Sequence, residues 1–99
     1  MTELELSNYI RLSCQRALFG TITPNLRMVT IGWDELKSFH LKAYYSSPPS
    51  DDEIEEMESA SAEVIADFPF EKDQVECLAD TRMRKDLEVL KYVVFARKE

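Results

Sequence analysis

Carboxylates dominate one stretch of the sequence, "PPSDDEIEEMESASAEVIADF", which runs from Pro48 to Phe68. Six of the eight residues from Asp51 to Glu58 are acidic, and no lysine or arginine stands between Asp51 and Glu71. Paired carboxylates act in acid–base catalysis when burial separates their pKa values, whereas carboxylates on an exposed helix titrate normally. The run also lacks the central glycine and the alternate acids of an EF-hand calcium loop. Two roles remain, which are attraction of a basic partner and plain solvation.

Other side chains that could do chemistry are few. Cys14 and Cys77 have neither CxxC nor Cys/His spacing, and the single His40 has no second imidazole with which to bind a metal. We expect both cysteines to be small core residues with reduced thiols rather than a disulfide. The only two glycines, Gly20 and Gly32, exclude the GxGxxG and P-loop phosphate-binding patterns. The sequence therefore predicts no enzyme, no cofactor and no metal.

The charge is unevenly distributed along the chain. The net charge is −7, but residues 48–80 carry twelve acids and one base, which gives −11. Residues 1–47 have a net charge of +1 and residues 81–99 one of +3. This balance argues against nucleic acid or an anionic membrane surface as the main partner. The acidic N-terminus is unlike a signal peptide and no apolar run reaches the ~18 residues of a membrane span, so we expect a cytoplasmic protein.

Two helices must position these groups. The first is predicted from Glu3 to Phe19, with Gly20 as its stop and an apolar face of Leu6, Ile10, Cys14, Ala17 and Leu18. The second opens with Ser50 and Glu53, the S-x-x-E capping box, and ends at Pro69. Its apolar stripe is Ile54, Met57, Ser61, Val64, Ile65 and Phe68. The carboxylates therefore occupy the opposite side of that helix.

Four strands complete the predicted fold. The alternating segments 26–33 and 39–45 indicate an antiparallel hairpin, and "QVECLA" and "VLKYVVFARK" indicate two later strands. The polar "DTRMRKDLE" between those two is predicted as a loop or one helical turn. The order αββαββ indicates a single α+β domain over residues 1–99, with one four-stranded, mainly antiparallel sheet and both helices on one face. The other sheet face, with Met28, Thr30, His40, Lys42, Tyr44, Glu76 and Leu78, would be open to water or to a partner.

The segment from Asn25 to Pro69 resembles small bacterial immunity proteins encoded beside polymorphic or contact-dependent growth-inhibition toxins. The shared features are an "LR-V-I-W" strand, a second strand ending in paired aromatics, and "PPS" followed by an acidic capped helix ending in "IADFP". The resemblance implies a cognate toxin domain, often a nuclease, that is bound so that its active site is blocked. A nuclease presents a basic surface to phosphate, and a carboxylate-rich helix can occupy that surface.

The predicted partner-binding residues follow from this resemblance. The charged ones are Asp52, Glu55, Glu56, Glu63 and Asp67. Tyr44 and Tyr45 are candidate aromatic anchors, with a core position as the alternative for Tyr45. The basic segment Arg82 to Lys85 is expected to balance the acidic helix within the fold. Balance across a homodimer and contact with an acidic patch on the partner are the alternatives. A homodimer is compatible with the sequence.

Two other functions stay open at this point. In the first, the protein is a structural or adaptor subunit of a bacterial complex that uses its sheet face or edge, and the acidic helix only solvates it. In the second, it is a small hydrolase or transferase with an unrecognised site, which would require a catalytic group such as His40.

Overall fold

The six predicted helices and strands occur in the predicted order in a computed structural model, which describes residues 2–35 and 37–99. They are α1 (Glu3–Ala17), β1 (Leu26–Asp34), β2 (Ser38–Tyr45), α2 (Asp51–Asp67), β3 (Lys72–Ala79) and β4 (Tyr92–Ala96). A 3-10 turn (Arg84–Asp86) lies between the last two strands, in the segment predicted as a loop or one helical turn. The α+β class and the αββαββ order are confirmed.

Both helices begin at side-chain caps. The Thr2 hydroxyl accepts a hydrogen bond from the backbone N–H of Glu5, at 3.1 Å. At α2, the Ser50 hydroxyl accepts from the Glu53 N–H at 3.1 Å and the Glu53 carboxylate accepts from the Ser50 N–H at 3.0 Å. This is the predicted capping box, and it fixes the first turn of the acidic helix. After α1, Gly20 has a φ of +90°, a conformation that glycine adopts without the strain of a Cβ.

The sheet has the strand order β3-β2-β1-β4. β1 is antiparallel to both β2 and β4, whereas β2 and β3 are parallel. The parallel pair follows from connectivity, because α2 carries the chain back across the sheet between β2 and β3. The sheet is therefore mixed, with two of its three strand pairs antiparallel.

The main core lies between the two helices and one face of the sheet. Its fully buried residues include Ile10 and Cys14 of α1, Ile31 of β1 and Met57 of α2. The three helix residues belong to the apolar faces predicted for α1 and α2, and both helices pack on the same side of the sheet. Trp33 and Tyr92 stack at the edge of this core, with ring centroids 5.6 Å apart.

The prediction of an open second sheet face is wrong for its centre. The segment between β3 and β4 crosses that face, and its Leu87 packs against Met28 and Tyr44, all three of them buried. The Thr30 hydroxyl donates to the Tyr92 carbonyl at 2.8 Å and accepts from the Leu90 N–H at 2.9 Å. Strand side chains therefore satisfy the backbone of a polar segment, which allows it to cover the sheet.

Candidate functional site

The outer face of α2 is a surface of exposed carboxylates. Because Met57, Ala60 and Val64 face the core, the opposite side of the helix turns to water. All five predicted acidic residues, Asp52, Glu55, Glu56, Glu63 and Asp67, are exposed. None of them pairs with a lysine, arginine or histidine of residues 2–35 and 37–99. Their charge is therefore available to a partner.

Four of these carboxylates line one groove between α2 and the end of α1. The groove has a volume of about 430 Å³ and is lined by Asp52, Glu55, Glu56 and Glu63 together with Ala17, Phe19 and Thr21. We call it the acidic groove. Phe19 is 90% exposed. Sequence reasoning missed this aromatic side chain, although its position just before the helix-stopping Gly20 and outside the apolar stripe of α1 was a usable signal.

The fifth carboxylate, Asp67, lies at the end of α2 and joins the two helices. It accepts a hydrogen bond from the Ser13 hydroxyl of α1, at 2.9 Å. It also lines a second depression, of about 580 Å³, which we call the apolar hollow. The hollow is lined by Leu6, Tyr9, Leu12, Ser13, Arg16, Asp67, Phe68 and Pro69.

The model of the MafI2 immunity protein family matches residues 7–99 of the chain. The chain belongs to the MafI2 immunity protein family. The match takes in most of α1 and every later element, and so the acidic groove and all of the apolar hollow except Leu6. It confirms the resemblance to bacterial immunity proteins of the polymorphic-toxin type and supports a toxin-neutralising role. Comparison with curated proteins gives no match.

Other carboxylates of residues 48–80, the acidic segment, form hydrogen bonds or ion pairs within this MafI2 immunity protein. Glu53 accepts from the Thr23 hydroxyl at 2.6 Å, and this hydrogen bond is the main cause of its lowered pKa. Asp80 pairs with Arg82 at 2.6 Å, and the hydrogen bonds from Arg82 lower the pKa of Asp80 to about 2. Arg82 thus balances charge within the fold, as predicted for its segment, but it does so with Asp80 rather than with α2.

The immunity protein buries both tyrosines that were predicted as anchors. Tyr44 lies under the segment that crosses the second sheet face, and its hydroxyl donates to the Glu88 carbonyl at 2.8 Å. Tyr45 lies in the helix-side core, as its alternative interpretation expected. Consecutive strand residues point to opposite faces, and here both faces are covered. Neither ring therefore presents a surface to a partner, and the binding proposal below depends on the carboxylates.

The remaining reactive side chains of the immunity protein are held within the fold. Both cysteines are free, and burial raises the pKa of the Cys14 thiol to about 12 and that of Cys77 to about 11. They are therefore protonated and weakly nucleophilic at neutral pH. His40 lies 3.0 Å from the Asp34 carboxylate, measured from Nε2 to Oδ2. In the described ranges, histidine, cysteine and acidic side chains form no cluster of three or more suited to a metal ion. Among the same residues, neither helix combines the length and the hydrophobicity that a membrane span requires.

Proposed function

We propose that this immunity protein neutralises a cognate toxin domain by binding alone, and that the acidic groove meets a basic, phosphate-binding surface of a nuclease toxin. One observation carries the proposal: Asp52, Glu55, Glu56 and Glu63 line one groove and have no cationic partner among the described residues. The complex forms in the cytoplasm of the toxin-producing cell. The protein needs no catalytic group, because a nuclease whose phosphate site is occupied cannot bind its substrate.

α2 is less stable than a helix of mixed charge would be, because no lysine or arginine of the helix pairs with its carboxylates. A lysine or arginine at i+4 would contribute ~0.2–0.5 kcal/mol for each pair, and like charges at that spacing repel. A surface whose charges are all negative raises the association rate constant with a basic partner above the ~10⁵–10⁶ M⁻¹s⁻¹ that is typical without electrostatic steering. Carboxylates also accept the charge-assisted hydrogen bonds with which arginine and lysine hold phosphate. Binding to a basic toxin therefore gives this pattern a function that solvation alone does not require.

The test is a triple charge reversal, E55K/E56K/E63K, measured against the toxin domain encoded beside the gene. We expect the Kd to rise at least a hundredfold at low salt and the dependence of binding on salt to become shallower. The matched control is E35K/E58K/E71K, which changes the net charge equally at exposed carboxylates that lie outside the groove. Circular dichroism and thermal unfolding establish that both variants are folded.

Two results would overturn this proposal. Equal weakening by the two variants would mean that only net charge matters. Wild-type affinity of the groove variant would favour the adaptor alternative, in which a sheet edge binds the partner and α2 only solvates. The edge strands available for that purpose are β3 and β4.

A further inference from the structure

We infer that the partner carries, beside its basic surface, a hydrophobic side chain that inserts into the apolar hollow. This inference rests on the proposed function and specifies the chemistry of the same partner. It makes the seam between α1 and α2 a two-part interface, with charge at one end and apolar contact at the other.

The hollow and the acidic groove are consecutive along one seam. Ser13 and Asp67 are hydrogen-bonded at the hollow, whereas Ala17 and Glu63 line the groove. In each helix the two residues are four positions apart, which is one turn or about 6 Å. Residue numbers rise along α1 as they fall along α2, so the helices are antiparallel and both depressions lie between them. One partner surface can therefore contact both.

The hollow exposes apolar side chains that do not belong to the hydrophobic core. Tyr9 and Leu12 of α1 are 54% and 43% exposed, although both are large. They lie three positions apart and so form a second apolar stripe on α1, separate from the core stripe of Ile10 and Cys14. Contiguous exposed apolar surface with polar residues around it is typical of interaction sites. Here the polar residues are Ser13, Arg16 and Asp67.

The charge around the apolar hollow indicates which kind of partner can bind there. The carboxylates of α2 that form no ion pair with the described residues begin at Asp67, on the hollow itself, and continue one turn away at Glu63. A second copy of this chain that docks by the same face brings the same acidic helix, so the two helices repel each other on approach. A basic protein surface is attracted instead. A hydrophobic side chain set among cations complements both parts of the seam.

The two parts should control different rate constants. Exposed charge acts mainly on the association rate and its dependence on salt. Buried apolar contacts act mainly on the dissociation rate, because they form only after docking and exclude water. This difference separates the hollow from the groove in one kinetic experiment.

The experiment is surface plasmon resonance of the full chain against the toxin domain encoded beside its gene, at several salt concentrations. For Y9A/L12A we expect the dissociation rate constant to rise tenfold or more, with the association rate constant and its salt dependence unchanged. The matched control, L4A/I22A, removes two comparably exposed apolar side chains that do not line the hollow, and it should bind like the wild type. Thermal unfolding of both variants checks that they are folded.

Three outcomes would overturn the inference. The first is an unchanged dissociation rate for Y9A/L12A, and the second is an equal effect of L4A/I22A. The third is a dimer of the free protein, seen by sedimentation, that Y9A/L12A converts to a monomer, because the occupant would then be a second copy. Failure of the proposed function gives a different result. In that case E55K/E56K/E63K would associate with the toxin domain at the wild-type rate, whether or not Y9A/L12A dissociates faster.

Discussion

Arg27 is a buried cation whose partner is the final residue of the sequence. Its guanidinium donates to both carboxylate oxygens of Glu99, at 2.7 Å each, and to the Asp80 carbonyl at 2.6 Å. Such a bidentate pair is strong and directional. Removing the carboxylate would leave the buried guanidinium with the Asp80 carbonyl as its one remaining acceptor in the described part of the chain, which is more costly than losing an exposed pair.

The first prediction concerns this pair. We expect E99Q to unfold at a lower urea concentration than the wild type at pH 7. The hydrogen bonds from Arg27 hold the pKa of Glu99 at about 2, below its ordinary value of 4.5. A lowered folded-state pKa gives stabilisation that is complete above the ordinary pKa and is lost as the pH falls toward about 2. The difference between E99Q and the wild type should therefore shrink across that range.

The control for E99Q is K98Q, because Lys98 is exposed and forms no ion pair in the described part of the chain. Urea unfolding followed by tryptophan fluorescence measures all three proteins. An E99Q midpoint equal to that of the wild type at pH 7 would contradict the role given to the pair.

The second prediction uses the two adjacent tyrosines. The Tyr45 hydroxyl is buried beside the Cys77 thiol, which is a weak hydrogen-bonding group, and it forms no hydrogen bond of standard geometry with the described residues. The Tyr44 hydroxyl, in contrast, donates to the Glu88 carbonyl. Y45F should therefore keep or raise the free energy of unfolding, because it removes an unsatisfied polar group. Y44F should lower it by about 0.5–1.5 kcal/mol. Urea denaturation measures both, and a loss of stability in Y45F larger than that in Y44F would contradict this assignment.

At the scale of elements, sequence patterns predict most of the fold but not how its parts meet. The stripe and capping box predicted α2, and alternation predicted the β1–β2 hairpin with its two faces. The cover over Tyr44 could not be predicted, because the crossing segment is polar and Leu87 is its one buried residue. The parallel pairing of β2 with β3 also depends on where α2 returns the chain. The groove carboxylates were predictable from α2 alone, whereas Phe19 and the hollow depend on how α1 lies against it.

The third prediction belongs to α2. S50A removes the hydroxyl that caps the Glu53 N–H, and we expect the free energy of unfolding to fall by about 0.5–2 kcal/mol. S59A is the matched control, because Ser59 is exposed within the helix and alanine is the better helix former there. It should be neutral or slightly stabilising. Thermal and urea unfolding measure both variants, and equal stability of S50A and S59A would show that the capping box does not stabilise the helix.

At the scale of the whole molecule, the acidic segment gives the protein a directional field. The charge of −11 on residues 48–80 contrasts with +1 and +3 on the segments before and after it. The molecule measures 38 × 27 × 19 Å, and the Debye length at physiological salt is ~8 Å. A partner therefore feels the charge of the side it approaches rather than the net charge. Basic surfaces are guided toward the helix side, where the acidic groove and the apolar hollow both lie.

The last prediction follows from that geometry and from the proposed function. If the acidic groove occupies the phosphate-binding surface of a nuclease toxin, the immunity protein and nucleic acid compete for the same cations. A phosphorothioate oligonucleotide that the toxin binds but cleaves slowly should therefore raise the apparent Kd of the immunity protein in proportion to its concentration. Y9A/L12A should show the same proportional rise from a weaker starting affinity, because the hollow does not contact the phosphate site. An apparent Kd that levels off as oligonucleotide is added would mean that both bind the toxin at once, so that neutralisation acts from outside the active site.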